Sequence, residues 1–167
     1  MLTLFAAALA AAAVPEEKEL LASMSGEWLG VMRAEVPPNV EEFTWRVSCA
    51  PIAKGSGVLC NSGGTASIGA IAQSCLLAPV PEDKEVHLMC VSSMGEVHDH
   101  RGRYDDGVIR FEPLHARMEG KIVEEIVEYR IGPNGIMQTL SVVRSEGSPE
   151  MRFTLHATRL KAGLEGR

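Results

Sequence analysis

The sequence contains few aromatic residues, no excess of basic residues and no apolar segment long enough to span a bilayer. Its 167 residues include only 2 Trp, 2 Tyr and 4 Phe, and 16 Lys and Arg are set against 22 Asp and Glu. Nucleic-acid binding is driven by the counterions that clustered basic residues release from the phosphates. The chain has a net charge of -6 and no basic stripe, so this driving force is small. A transmembrane helix needs about 20 apolar residues. Nucleic acid is therefore not an expected partner, and stable membrane insertion is not expected either.

Motifs for nucleophilic catalysis, phosphate binding and structural zinc are also missing. Ser62, Ser92 and Ser93 lie outside any G-x-S-x-G context. The Gly63-Gly64 pair is interpreted as a turn rather than as the start of a phosphate-binding helix. The cysteines have no C-x-x-C spacing, which argues against a zinc ribbon or a thioredoxin-type site. The sequence therefore assigns no catalytic residue, no metal ligand and no cofactor.

An uncharged apolar run opens the chain. It extends from Leu2 to Val14, is rich in Leu, Phe and Ala, and stops at a proline and a charged cluster. Its length and the small residues Ala11 and Ala13 are typical of a secretory signal cut after Ala13. We therefore expect residues 1–13 to be a signal peptide and residues 14–167 to form one domain in the periplasm or outside the cell. The alternative is a buried N-terminal helix, although the run has no polar face.

The pattern of apolar residues in the rest of the chain predicts one short helix followed by many strands. Leu20, Leu21 and Met24 share a helical face, and from Trp28 onward apolar residues recur with period two. Gly-, Pro- and Asp-rich turns separate ten segments of this kind. These segments are Glu27 to Val36, Glu42 to Ala50, Ser56 to Asn61, Ser67 to Leu77, Glu85 to Ser92, Val97 to Tyr104, Val108 to Glu112, Lys121 to Ile131, Gly135 to Arg144 and Met151 to Leu160. An open sheet of ten twisted strands curls shut, so the predicted fold is all-β, an up-and-down antiparallel barrel of about ten strands with one short N-terminal helix.

The cysteines form an even set, as expected for disulfides in an oxidising compartment. They are Cys49, Cys60, Cys75 and Cys90. Turns at Lys54-Gly55 and Glu82-Asp83 would place the first two, and the last two, opposite each other across hairpins. In a simple meander the other connectivities join strands two or three apart, about 9.6 Å or more, whereas a disulfide needs Cα atoms within about 7 Å. We expect the two hairpin disulfides; the alternative is four small buried thiols that never oxidise.

Strict alternation assigns inward-facing residues. In the last strand Met151, Phe153, Leu155 and Ala157 share one side. The same parity turns further apolar residues inward. They are Phe43, Trp45, Val47, Ile109, Phe111, Val123, Val127 and Tyr129. Because aromatic residues are scarce and a ten-stranded barrel is wide, aliphatic side chains have to fill the interior, and we expect a cavity.

Short motifs at both ends of the strand region resemble known barrel families. Gly26-Glu27-Trp28, after a short helix, resembles the G-x-W signature of lipocalin and fatty-acid-binding barrels. These families place a late arginine over the signature tryptophan, and the resemblance assigns this structural contact to Arg159 and Trp28. The segment from Arg101 to Phe111, with Arg103-Tyr104-Asp105-Asp106-Gly107 at its centre, looks like the G-x-Y-D turn of an uncharacterised bacterial family of secreted lipocalin-like barrels. The resemblance implies the lipocalin-like (calycin-like) version of the predicted barrel.

Two histidines have a spacing suited to metal binding. His98 and His100 lie on one face of a strand, so both can supply ligands to the same ion. The sequence identifies no third ligand, although His87, His115 and His156 are available. The favoured interpretation is an exposed edge of solvated histidines.

Three glutamates near residue 125 are candidates for acid-base catalysis. Glu124, Glu125 and Glu128 can act as acid-base carboxylates. Glu124 and Glu128 alternate with inward-facing apolar residues, which favours a place on the polar outer face of the strand.

The favoured function is the binding of a small hydrophobic or amphiphilic molecule inside the barrel. Trp45, Phe111 and Tyr129 are the predicted walls of the pocket, and His100 and Tyr104 are the predicted polar contacts. This interpretation depends mainly on analogy with the fold.

Two other functions stay open at this point. One is a structural or adaptor protein of the cell envelope with a fully packed barrel, which would have no internal void larger than about one water molecule. The other is a small enzyme, such as a lyase, an isomerase or a metal-assisted hydrolase. It would require His98, His100 or Glu125 to converge inside the cavity.

Overall fold

A computed structural model describes residues 17–80, 85–118, 121–132 and 134–161. The expected signal peptide, residues 1–13, and the expected turn at Glu82-Asp83 lie outside these ranges. The described residues form one helix and ten strands. These are α1 (Glu17–Met24), β1 (Gly26–Val36), β2 (Asn39–Ile52), β3 (Gly57–Ala66), β4 (Gly69–Val80), β5 (Glu85–Ser92), β6 (Val97–Asp105), β7 (Val108–Met118), β8 (Lys121–Gly132), β9 (Ile136–Ser145) and β10 (Met151–Arg159). In these ranges no helix has the length and apolarity needed to cross a membrane.

The strands form a closed antiparallel barrel in which each strand pairs with its neighbours in the chain. Strands β1 and β10 close the ring, with register from Trp28↔Arg159 to Glu35↔Arg152. The parity predicted for β10 is confirmed, since Leu155 and Ala157 are buried. The structure therefore confirms the predicted all-β barrel with one short helix.

Helix α1 covers one end of the barrel, which we call the capped end. Leu20, Leu21 and Met24 of α1 are buried against the core. The Trp28 indole Nε1 donates a hydrogen bond to the Met24 carbonyl oxygen at 2.8 Å. The Arg159 guanidinium lies 4.6 Å from the Trp28 ring centroid and donates to the Ser23 carbonyl oxygen. The Trp-Arg contact implied by the resemblance is thus present, where helix and barrel meet.

The turn predicted at Gly63-Gly64 is wrong, because both glycines lie inside β3. The chain turns instead between Ala66 and Gly69, which pair with each other. A Cβ atom on Gly64 would lie 2.8 Å from a Trp45 ring carbon. This glycine therefore makes room for an inward-facing aromatic ring rather than for a turn.

Strand β7 was predicted to end at Glu112, but it continues to Met118. The register shift between Phe111 and Leu114 contains a proline, Pro113, which has no N–H to donate. A bulge accommodates the extra residue and bends the strand. The proline interrupts β7 without ending it.

The cysteines lie in one row across four adjacent strands, β2 to β5, which we call the disulfide wall. Each faces the next in register: Cys49↔Cys60, Cys60↔Cys75 and Cys75↔Cys90. Disulfides join Cys49 to Cys60 and Cys75 to Cys90, each with a Cα–Cα distance of 4.1 Å. The predicted pairing is confirmed.

Candidate functional site

Three polar side chains meet on the inner surface of the barrel, away from the capped end. His98 and His100 come from β6, and Glu125 comes from β8, so the contact passes over β7. Oε2 of Glu125 lies 2.6 Å from Nδ1 of His98 and 3.4 Å from Nε2 of His100. The two imidazole rings are stacked with centroids 5.9 Å apart. We call these three residues the His-Glu cluster.

The cluster is shielded from solvent. The His100 side chain is 1% exposed, while those of His98 and Glu125 are 17% and 14% exposed. The expected edge of solvated histidines is therefore wrong for both residues of the H-x-H pair, because their parity turns them into the barrel.

Each member of the cluster is also held from its far side. Nε2 of His98 lies 3.5 Å from the Glu96 carboxylate, and Nδ1 of His100 lies 3.5 Å from the backbone carbonyl oxygen of Glu112. Oγ of Ser141 donates to Oε1 of Glu125 at 2.6 Å. These contacts orient the rings and the carboxylate so that one atom of each faces the other two.

The cluster shifts the protonation equilibria of its members. Burial alone would raise the pKa of Glu125, but the close contacts with His100 and His98 and the hydrogen bond from Ser141 outweigh it and lower that pKa below its ordinary value. The close contact with the Glu125 carboxylate raises the pKa of His98, against the effect of burial. The pair is therefore stabilised as a carboxylate and an imidazolium.

Backbone pairing between two strands of the barrel wall is incomplete beside the cluster. Strands β6 and β7 pair only from Gly102↔Phe111 to Asp105↔Val108 within their described lengths. The first half of β6 pairs with β5 alone, and β7 beyond its bulge pairs with β8. The contact between His100 and the Glu112 carbonyl spans this gap. We call β6 to β8 the parted wall.

A chain of aromatic contacts leads from the cluster into the interior. The Phe111 ring lies 6.1 Å from the His100 ring and 5.9 Å from the Tyr129 ring, the latter edge-on. A Cβ atom on Gly102 would come within 2.6 Å of the Phe111 ring, so this glycine lets the ring lie across β6. Burial, and to a lesser degree the Glu125 charge, raises the pKa of Tyr129 to about 12.

Tyr129 also lines an internal cavity of about 40 Å³. A cavity needs at least about 10–15 Å³ to hold one water molecule, so this space has room for about three waters. Its walls combine methionine, aromatic, cysteine and small polar side chains. They are Met24, Met32, Trp45, Val47, Cys60, Ser62, Gln73, Cys75, Tyr129, Met137, Thr139 and Leu155.

The residues predicted to bind a ligand fall into two places. Trp45 and Tyr129 line the cavity. His100 and Phe111 are buried beside it on the parted wall, and Tyr104 is partly buried against the core.

The sequence placed Glu125 with the histidines only as a requirement of the enzyme alternative, and it identified no third metal ligand. Glu125 shares the inward parity of Val123, Val127 and Tyr129, while Glu124 and Glu128 share the other parity and lie near outer-face arginines at 3.8 and 3.5 Å. The signal that could have identified Glu125 in the sequence is its charge, because the other inward-facing residues of this strand are apolar or aromatic.

The closed meander, the terminal helix and the Trp-Arg contact fit a calycin-like barrel. Among solved structures, the S-type phycobiliprotein lyase CPES from Guillardia theta is similar, with a TM-score of 0.62 over 89% of this chain and 94% of that chain. A protein of unknown function from the DUF3598 family of Nostoc punctiforme gives a TM-score of 0.49 over 83% of this chain and 48% of its own. The sequence identities are 13% and 10%, and the first likeness shows the fold alone. No protein-family model and no curated protein sequence matches the chain.

Proposed function

We propose that this protein is an exported barrel that binds a small, mainly apolar or amphiphilic molecule in its interior. The observation that carries the proposal is the cavity, in which three methionines and Trp45 lie together with a few polar groups such as Gln73. Binding sites for small molecules have this composition, an apolar lining with a few polar groups that orient the ligand.

The size of the cavity limits how binding occurs. Pockets for drug-sized ligands enclose about 300–1,000 Å³, far more than the 40 Å³ found here. Met24, Met32 and Met137 are unbranched and flexible, so a change of rotamer can enlarge the space. We therefore expect a ligand at the small end of this range, admitted when these side chains move.

Export is part of the proposal. Two disulfides in a chain of this size are typical of an oxidising compartment. Removal of the apolar run, residues 1–13, would leave a mature domain that begins at Val14.

A second candidate function is an enzyme that uses the His-Glu cluster. Its support is the convergence of His98, His100 and Glu125, which this function requires. The three side chains meet inside the barrel but are not among those that line the 40 Å³ cavity. A lyase of similar fold adds to this candidate only by analogy.

Native mass spectrometry of the protein exported to a bacterial periplasm tests the proposal. We expect a polypeptide that begins at Val14, is four protons lighter than the reduced chain and retains an organic adduct. Ser62→Phe fills the cavity and should remove the adduct. Leu59→Phe on the outer face of the same strand should keep it.

Dodecanoate serves as a defined probe where no natural adduct is retained. Saturable binding that Ser62→Phe abolishes and Leu59→Phe preserves supports the proposal. If none of the proteins carries an adduct or binds dodecanoate, the binding function is wrong.

A further inference from the structure

We propose that His98, His100 and Glu125 form a binding site for one divalent transition-metal ion, and that zinc is the ion that matches the ligands best. One ligand atom from each residue lies within 4.8 Å of the other two. Two imidazoles and one carboxylate are the protein ligands of a frequent class of zinc site. Hard cations such as calcium and magnesium prefer sites made of oxygen ligands.

Two of the three distances between the ligand atoms are close to those that zinc requires, and the third, between the two imidazole nitrogens, is within 4.8 Å. Zinc bonds to nitrogen and oxygen of about 2.0–2.1 Å place tetrahedral ligand atoms roughly 3.3–3.4 Å apart. Nε2 of His100 already lies 3.4 Å from Oε2 of Glu125. Nδ1 of His98 lies 2.6 Å from the same oxygen, and a shift of less than about 1 Å would bring this pair to the tetrahedral spacing.

The groups behind the ligands are those that usually support a metal site. Histidine ligands commonly use their second nitrogen to contact a carboxylate or a backbone carbonyl. His98 faces the Glu96 carboxylate in this way, and His100 faces the Glu112 carbonyl. Ser141 donates to the oxygen of Glu125 that the histidines do not face. Each converging atom is therefore oriented by a partner of its own.

The site also has a route for an ion and an open coordination position. His98 and Glu125 retain partial exposure, and the cluster lies beside the gap between β6 and β7. Three protein ligands leave a fourth zinc position for water or a ligand group, as in catalytic rather than structural sites.

The competing explanation is a buried ion pair that binds no metal. In that case His98 and Glu125 only neutralise each other, and added zinc would bind to the exposed histidines instead. His156 is exposed on the outer face of β10, which makes His156→Gln the matched control.

The experiment is a zinc titration of the metal-free, oxidised protein against a chromophoric chelator. We expect one zinc per chain, unchanged affinity in His156→Gln, and a loss of about 100-fold or more in Glu125→Gln and His98→Gln. Removal of the supporting hydroxyl in Ser141→Ala should weaken binding by about 10-fold. Near-ultraviolet circular dichroism identifies any variant that fails to fold.

Cobalt absorption provides a second measurement. Cobalt(II) bound in place of zinc should give visible bands in the native protein and in His156→Gln, and these bands should be absent in His98→Gln. The cavity variant Ser62→Phe should bind zinc normally, so failure of the proposed ligand binding would leave this result intact. The metal site is overturned if stoichiometric zinc binding is absent, or if His156→Gln weakens it as much as folded His98→Gln does.

Discussion

The disulfide wall and the parted wall differ in how completely their strands pair and in the chemistry of their inward-facing residues. The disulfide wall pairs continuously along the cysteine row, and two covalent links join its four strands. The parted wall has a bulge, an incomplete strand pair and a cluster of imidazoles and a carboxylate. A disulfide that closes a loop of about 15 residues contributes about 3 kcal/mol, whereas a buried ion pair often contributes nothing relative to apolar residues. The comparison indicates that one wall stabilises the barrel through covalent links, while the other holds the candidate site.

Removal of a disulfide should have the largest effect on stability. The double variant Cys75→Ala/Cys90→Ala opens a link between residues 15 apart in sequence, and we expect its free energy of unfolding to fall by about 3 kcal/mol. Urea denaturation monitored by circular dichroism measures the change. An unchanged unfolding midpoint would show that the disulfide wall does not stabilise the fold.

Breaking the His-Glu cluster should have the next largest effect. Glu125→Leu leaves two imidazoles without their carboxylate and should cost about 2 kcal/mol in the metal-free protein. Replacing all three residues with leucine removes the charges together and should restore most of that loss. If the triple variant is less stable than Glu125→Leu, the cluster contributes to folding and the contrast between the walls fails.

A smaller effect is expected at the capped end, where β1 and β10 close the ring between the two walls. Arg159→Met removes the cation-π contact with Trp28 and should cost about 1 kcal/mol. Hydrogen exchange should become faster at the β1–β10 pairs near Arg159 and stay the same in β3 and β4. Faster exchange in all strands alike would contradict a local role for the contact.

The smallest effect at neutral pH is expected for Tyr129, on β8 of the parted wall. Its pKa is raised to about 12 in the folded protein, whereas an unfolded tyrosine ionises near pH 10. The folded state therefore holds the phenol proton more tightly, and the resulting stability is present below about pH 10 and lost between about pH 10 and 12. Denaturation curves should show this loss in the native protein and less of it in Tyr129→Phe; parallel pH profiles would contradict it.

The sequence was sufficient for the fold because alternation and turn residues act locally. The two disulfides followed from hairpin geometry, and the contact between Trp28 and Arg159 followed from short motifs, whereas the register of Cys60 with Cys75 was not predicted. The turn predicted at Gly63-Gly64 was wrong because the sequence does not distinguish a glycine that makes room for an aromatic ring from a glycine in a turn.

The candidate site could be predicted only in part. The inward parity of Glu125 was readable, but its contact with β6 depends on the register of three strands and on the bulge around Pro113. The cavity volume depends on how side chains from all ten strands pack together. These are properties of tertiary packing that no single segment specifies.

Long-range proton–nitrogen NMR of the five histidine rings tests the central claim most directly. In the metal-free protein we expect the His98 and His100 nitrogens to respond to Glu125→Gln. On addition of one equivalent of zinc, Nδ1 of His98 and Nε2 of His100 should shift while His87, His115 and His156 keep their signals. Zinc shifts that appear first at the three other histidines, with His98 and His100 unchanged, would contradict a metal site on the parted wall.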